Sequence, residues 1–175
     1  NSLDVDYQDD GQLTDGLYGS EEDYLDGRLL GFSKSKAATA EVVVDLGASQ
    51  AIQQVEASFL RDEVAGAEWP SKVGVFTSDN NTSWKSAGAF TVKGAATTES
   101  IIYNFQEKVS ATGRYVKFVV TPGSKDITLI DEVRVLKTSN IPDPGEQEPS
   151  KPVDLSNDLA YGKSYTYSRE PNSGY

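Results

Sequence analysis

The sequence contains no cysteine, no methionine and no histidine. These absences exclude thiolate nucleophiles, imidazole acid–base catalysis and the usual side-chain ligands of zinc and copper. Any metal bound by side chains should therefore be a hard cation with oxygen ligands. A GxSxG motif is missing, and no carboxylate lies in an evident apolar cleft, so we do not expect an enzyme. No apolar run reaches the length of about 18 residues that a membrane-spanning helix needs.

Basic residues are also scarce. Sixteen lysines and arginines stand against 27 aspartates and glutamates, which gives a net charge of −11. A surface this acidic repels nucleic-acid phosphates and anionic lipids, so neither is an expected partner. Cations and neutral polymers stay open as partners. Because an acidic, oxidation-resistant composition suits an exposed bacterial surface protein, we expect the chain to be secreted or held at the cell surface.

Short apolar segments with strand character fill the middle of the sequence. They alternate with turn-forming residues at a spacing typical of an antiparallel β-sandwich. The strand-like segments are residues 41–47, 52–60, 72–78, 100–105, 114–120 and 127–136. No segment has convincing helical periodicity, so the pattern predicts an all-β fold.

A proline-rich segment divides the chain. Residues 139–158 hold four of the seven prolines and no aromatic residue, which is typical of an extended linker. We therefore predict a β-sandwich module over residues 1–138, a linker over 139–158 and a strand-like segment over 159–175. The EPNSGY that closes the chain is echoed by the NSLDVDY that opens it, which indicates modules in tandem.

Several motifs, taken in order, resemble the discoidin or coagulation-factor C-domain family. The motifs are LTDG at 13–16, VVVDLG at 42–47, FLRD at 59–62, WPSKVGVFTSDNNTSWKSAG at 69–88, GRYVKFVVTP at 113–122 and ITLIDEVRV at 127–135. The resemblance implies a galactose-binding-like, antiparallel jelly-roll β-sandwich of about eight strands. It also implies a non-catalytic module that binds a polysaccharide or cell-wall glycan within a bacterial surface protein or glycoside hydrolase.

One motif stands in an unusual place. Modules of this type begin with a segment similar to DLAYGKSYTYS, which here occupies residues 158–168. A sandwich without that strand would expose unpaired backbone groups, so we predict that residues 159–168 pair with the sheet of this module. The pairing could form within one chain or with a neighbouring molecule. The second arrangement predicts self-association, and it leads to the alternative function of an assembly module in a surface layer that exchanges strands.

The resemblance further implies a structural calcium ion. Asp15 in LTDG and Glu132 in IDEVRV match positions at which the family often binds calcium, with backbone carbonyls of the intervening loop completing the shell. Calcium takes about six to eight oxygen ligands, and it would relieve the repulsion between the two carboxylates. The alternative is that Asp15 only caps a turn beside Gly16, while Glu132 is exposed at a strand edge.

Trp69 is the main candidate for sugar binding. It lies between two predicted strands, where a large aromatic ring could stack on the apolar face of a sugar. The polar residues that could bind hydroxyl groups beside it are Arg61, Asp62 and Glu68. The alternative is that Trp69 covers the mouth of the sandwich, while Arg61 pairs with Asp62 or Glu63.

Three other aromatic residues lie outside this group. Tyr24 and Phe32, in the early loop region, are further candidates for ligand binding, although aromatic loop residues often only close a core. Trp84 follows a turn and begins a strand-like stretch, so we assign it to packing.

Overall fold

The computed structural model describes residues 11–24, 27–91, 99–139 and 155–167. In these parts of the chain, seven β-strands are connected by loops and two short 3-10 helices, at Gln12–Thr14 and Leu155–Asn157. The strands are β1 (Leu30–Ser33), β2 (Ala40–Arg61), β3 (Lys72–Ser78), β4 (Lys85–Thr91), β5 (Ile101–Thr121), β6 (Ile127–Leu136) and β7 (Tyr165–Tyr167). Neither of the two helices has the length or the apolar character to cross a membrane.

The strands form because apolar residues recur at every second position. In β2, Val42 and Val44 are buried while Glu41 and Asp45 are partly exposed on the opposite face. Successive side chains of a strand point to opposite faces, so this alternation buries one face of the sheet and leaves the other in contact with water. β6 differs because all ten of its residues are buried, as expected for a strand covered on both faces.

Two long strands connect the two layers of the fold. β2 and β5 pair antiparallel along most of their length, with irregularities in register between Asp45 and Gln50 and between Ile52 and Gln54. The first part of β2 lies between β5 and β7, and β5 continues to β3 and β4. The last part of β2 lies between β5 and β6, and β6 pairs with β1. One layer therefore has the order β7-β2-β5-β3-β4, and the other has the order β1-β6-β2-β5.

The hydrophobic core lies between the two layers. Its main cluster joins residues of the first layer, such as Val75 and Phe118, with residues of the second, such as Phe59 and Val133. A smaller cluster of Leu29, Leu60, Ala67, Ile102, Ile127 and Leu129 closes one end. The predicted antiparallel jelly-roll β-sandwich is confirmed, with seven strands in the parts of the chain that the structure describes.

The segment that follows the linker folds back onto its own chain. β7 pairs antiparallel with β2, where Tyr167 lies opposite Val42 and Tyr165 lies opposite Val44. Leu159 is buried in the core, and its backbone N–H donates to the Val135 carbonyl over 2.6 Å. The contacts begin within the last four residues of the predicted linker, at 155–158, while residues 140–154 and 168–175 lie outside the described residues. The predicted domain boundaries stay a prediction.

Candidate functional site

An open depression of about 550 Å³ lies at the end of the sandwich where β2 ends and β5 begins. These two strand ends meet because Arg61 pairs with Ile101 in the β2–β5 ladder. The depression is lined by Glu21, Glu22, Tyr24, Asp62, Val64 and Ser100. No lysine or arginine is among these described lining residues, so the surface that a ligand meets is acidic and hydroxyl-bearing.

Asp62 is held rigidly at the wall of the depression. One carboxylate oxygen accepts the backbone N–H of Ala65 over 2.7 Å, and the other accepts the Ser100 hydroxyl. Burial disfavours the charged form, but the hydrogen bonds from Ser100 and from backbone N–H groups outweigh it and lower the pKa of Asp62. The side chain is therefore an ionised acceptor with a defined position at neutral pH.

The loop that carries the other lining residues is attached to β5. Glu21 accepts the backbone N–H of Ile102 over 2.8 Å, which fixes the loop against the start of that strand. Tyr24 packs against the smaller core cluster, which forms an apolar floor below it. An aromatic ring beside fixed carboxylates suits a sugar, because the ring can stack on C–H groups while the carboxylates accept hydrogen bonds from hydroxyls.

Two of the predicted polar residues lie beside the depression and bind each other. The Arg61 Nε lies 3.1 Å from a Glu68 carboxylate oxygen, and only 12% of the Arg61 side chain is exposed. Glu68 also accepts the backbone N–H of Trp69 over 3.0 Å. Neither residue lines the depression, whereas Asp62 and Tyr24 do, and the role of all four residues in sugar binding stays a prediction.

The two tryptophans differ in burial, and Trp69 does not lie where its predicted role requires it. Trp69 is only 7% exposed, and its ring packs against Tyr103 and Phe105 at centroid distances of 5.5 and 6.0 Å. It has no free face for a sugar, so its predicted role as the stacking platform is replaced by the competing role of closing the core. Trp84 belongs to neither core cluster and is partly exposed, with the Lys117 ammonium 4.5 Å from its ring centroid. Phe32 also lies in the core and is 1% exposed, which does not fit a ligand-binding residue.

Glu132 is a buried carboxylate with an unsatisfied oxygen. It is 1% exposed, and one oxygen accepts the backbone N–H of Gly16 over 3.2 Å. The other oxygen is buried and has no hydrogen-bond partner. Burial, together with the charges of Asp15, Asp158 and Asp131, raises the pKa of Glu132 to about 9 against the opposing effect of the Gly16 hydrogen bond. The alternative of an exposed Glu132 at a strand edge is therefore wrong.

The surroundings of Glu132 fit a cation with oxygen ligands. Asp15 accepts the backbone N–H of Leu17 over 2.8 Å, so it caps the turn beside Gly16, as the alternative interpretation predicted. Its negative charge also helps to raise the pKa of Glu132. The described residues contain no group of three or more acidic side chains arranged as a metal cluster. A calcium ion here would therefore take further ligands from backbone carbonyls or water, and it would satisfy the unpaired oxygen of Glu132.

A buried ionic network, which the sequence analysis missed, holds the C-terminal segment on β6. The Arg134 guanidinium lies 2.7 Å from Glu56 and 3.0 Å from Asp158. Asp158 also accepts the backbone N–H groups of Val135 and Ala160. The one signal in the sequence is a charged residue inside the apolar stretch VRVL, and such a residue is almost always paired when it is buried.

The same segment covers the loop that bears Asp15. The Thr14 hydroxyl donates to the Lys163 carbonyl over 2.8 Å, and the Gly162 N–H donates to the Thr14 carbonyl over 2.7 Å. Gly16 adopts a positive φ of 74°, and a Cβ at this position would lie 2.6 Å from the Leu155 side chain. Only glycine combines this backbone conformation with so close an approach.

The two-layered antiparallel sandwich is a galactose-binding-like jelly-roll fold. The model of the F5/8 type C domain family matches residues 8–133. The chain therefore belongs to the F5/8 type C, or discoidin, domain family. A comparison with curated proteins found no match.

Solved structures of similar fold come from bacterial glycoside hydrolases. The C-terminal domain of a chitobiase from Bacteroides fragilis is 23% identical with a TM-score of 0.42, and the match covers 57% of this chain and 63% of that domain. The module CpGH89CBM32-5 of Clostridium perfringens, in complex with GalNAc-β-1,3-galactose, is 14% identical with a TM-score of 0.46, over 61% of this chain and 73% of that one. CBM32-3 from a family 31 glycoside hydrolase of Clostridium perfringens is 13% identical with a TM-score of 0.45, over 76% of this chain and 96% of that one.

Proposed function

We propose that the chain is a non-catalytic carbohydrate-binding module of a secreted or cell-surface bacterial protein, and that it binds sugar in the loop-end depression. The observation that carries this proposal is the combination of Tyr24, Asp62 and Ser100 around one cavity on a fold of this family. Similar modules support the ligand class, since one was solved with GalNAc-β-1,3-galactose and another is described as binding pectin.

The depression suits a sugar because its polar groups are already positioned. The contacts of Asp62 with Ser100 and Ala65 hold the carboxylate before a ligand arrives, which reduces the entropy lost on binding. An open site of this kind gives weak binding for one module. A protein that carries several modules in tandem would bind a polymer more tightly through multivalency.

The proposal includes a structural calcium ion held by Asp15 and Glu132. The buried oxygen of Glu132 that lacks a partner supports it, and so does the neighbouring charge of Asp15. When bound, the ion would supply positive charge to two carboxylates that repel each other. Residues 15–19 lead directly into the loop that lines the depression, so calcium would stiffen the site without touching the sugar.

Two tyrosines of different location allow a matched test of the site. Tyr24 lines the depression, while Tyr161 is 48% exposed on the C-terminal segment and does not line it. Since an aromatic contact contributes about 0.5–1.5 kcal/mol, Tyr24→Ala should weaken binding by roughly 2-fold to 13-fold, whereas Tyr161→Ala should leave it unchanged. Affinity electrophoresis in gels that contain bacterial, fungal or plant wall polysaccharides measures both variants. Equal binding by the wild type and Tyr24→Ala would show that the depression is not the sugar-binding site.

A second candidate function is assembly by strand exchange. The pairing of β7 with β2 supports it, because the same hydrogen bonds could be made by the corresponding segment of a second molecule. Deletion of residues 165–175 would then remove the exchanged strand while it keeps the buried Asp158 and Leu159. We expect concentration-dependent oligomers of the full chain in light scattering if exchange occurs, and their loss on deletion. A full chain that stays monomeric at every concentration contradicts this function.

A further inference from the structure

The C-terminal segment, residues 155–167, holds the loop that carries Asp15. Two hydrogen bonds join the segment to Thr14, the residue directly before this aspartate. The Thr14 carbonyl accepts the Gly162 N–H over 2.7 Å, and the Thr14 hydroxyl donates to the Lys163 carbonyl over 2.8 Å. The backbone on this side of Asp15 is therefore positioned by the segment.

The residue directly after Asp15 is held as well. Leu155 of the segment covers Gly16, and a Cβ at Gly16 would lie 2.6 Å from the Leu155 side chain. The Gly16 N–H donates to a carboxylate oxygen of Glu132 on β6 over 3.2 Å. We name residues 11–19 the Asp15 loop, which lies between β6 and the C-terminal segment.

The C-terminal segment is itself attached to β6. The N–H of the buried Leu159 donates to the Val135 carbonyl over 2.6 Å. Asp158 accepts the Val135 N–H over 3.1 Å, and it pairs with the Arg134 guanidinium over 3.0 Å. These anchors stand two and three residues after Glu132 on the same strand. The Asp15 loop, β6 and the segment therefore hold one another in pairs.

The unsatisfied oxygen of Glu132 lies within this arrangement. Glu132 is 1% exposed, and its second carboxylate oxygen is buried with no hydrogen-bond partner, which points to a cation as its ligand. The two proposed side-chain ligands come from different elements, Asp15 from the loop and Glu132 from β6. A cation held by both requires the loop to lie on β6, and the segment enforces this position.

We infer that docking of the C-terminal segment and binding of calcium at Asp15 and Glu132 are energetically coupled, so that each favours the other. This inference rests on the calcium ion of the proposed function. Coupling between two binding events is reciprocal, so calcium must oppose undocking by the same factor by which docking raises the calcium affinity. Strand exchange requires undocking, so bound calcium should also suppress exchange between molecules.

Hydrogen exchange of the full chain measures undocking directly. The reporters are the N–H groups of Leu159 and Gly162, which donate to carbonyls outside the segment. Relative to chelator, free calcium at about 100 times its Kd should slow their exchange by about 5-fold to 100-fold, and the upper value applies if the undocked state binds no calcium. β3 pairs with β4 and β5, so its N–H groups serve as a reference that should slow less. Glu132→Gln should show no calcium effect.

Two glycines offer a matched pair of variants. Gly162 in the segment and Gly66 in the turn after β2 have φ values of 64° and 63°, and a Cβ at either would meet nothing within 4 Å. Alanine therefore adds backbone strain without a new contact at both positions. In chelator, Gly162→Ala should speed the exchange of Leu159 by about 5-fold to 30-fold, whereas Gly66→Ala should leave it unchanged. Thermal melting checks that both variants are folded.

Three results would overturn the inference. The first is a wild type that binds calcium in calorimetry while Leu159 and Gly162 exchange at the same rates with and without it, which would leave the calcium proposal standing. The second is equal slowing of β3 and the segment, because the segment would then open only when the whole protein unfolds. The third is unchanged exchange of Leu159 in a folded Gly162→Ala variant. A wild type that binds no calcium would refute the calcium proposal and this inference together.

Discussion

The buried carboxylate of Glu132 makes the stability of the protein depend on pH when calcium is absent. Its pKa is raised from 4.5 to about 9 by burial and by neighbouring acidic residues. The folded state therefore binds this proton more tightly than the unfolded state, so the contribution of Glu132 to stability is fully present below about pH 4.5 and is lost as the pH rises towards 9. Each pH unit within this window costs about 1.4 kcal/mol, so the change from about pH 5 to about pH 8 should cost on the order of 4 kcal/mol.

Glu132→Gln isolates this effect because glutamine has nearly the same shape and does not titrate. In the presence of a chelator, a change from about pH 5 to about pH 8 should lower the melting temperature of the wild type by roughly 8–16 °C more than that of Glu132→Gln. Excess calcium should restore most of the wild-type melting temperature at the higher pH, because a ligand that binds only the folded state stabilises it. The variant should not respond to calcium.

The measurement is differential scanning fluorimetry or urea unfolding over this pH range. Glu22→Gln, which changes an exposed carboxylate of the depression, is the control and should follow the wild-type profile. The reasoning about Glu132 is refuted if the wild type and Glu132→Gln have the same pH dependence in chelator. A melting temperature of the wild type that calcium does not change would refute the calcium proposal alone.

Two other substitutions test the internal structure. Asp158→Ala should destabilise the protein by about 3–5 kcal/mol, measured by urea unfolding, because it leaves Arg134 with a missing partner inside the protein and frees two backbone N–H groups. A loss below about 1 kcal/mol would mean that the C-terminal segment is not anchored by this network. Trp69→Ala should cost about 3–5 kcal/mol of stability through the cavity that it creates, while the folded fraction keeps its affinity for glycan. A loss of glycan affinity without a loss of stability would instead indicate that Trp69 contacts the glycan.

The strand content and its location were readable from the sequence. Alternation of apolar and polar residues, interrupted by turn formers, is a local signal, and it predicted the cores of β2, β3, β5 and β6. The same signal broke β2 and β5 into two pieces each, because glycine and polar residues interrupt the pattern where the structure continues the strand through an irregular register. Continuity of a strand depends on its partners, which a local pattern does not contain.

The sequence alone also determined that a β-strand segment after the linker would pair with this sheet. The motif at 158–168 and the need to satisfy an open edge were sufficient for that prediction, and β7 pairs with β2 in the same chain here. The ionic network of Arg134, Glu56 and Asp158 was decided only by the tertiary structure, since its members are far apart in the chain.

The roles of individual aromatic and acidic residues depended on the tertiary structure for the same reason. Trp69 and Trp84 each stand beside a turn and a predicted strand, and nothing local distinguishes them. Burial distinguishes them, because Trp69 meets Tyr103 and Phe105 inside the sandwich while Trp84 meets Lys117 on its outer face. Local periodicity is enough to determine that a segment is a strand, but the exposure of one side chain is set by what distant parts of the chain pack against it.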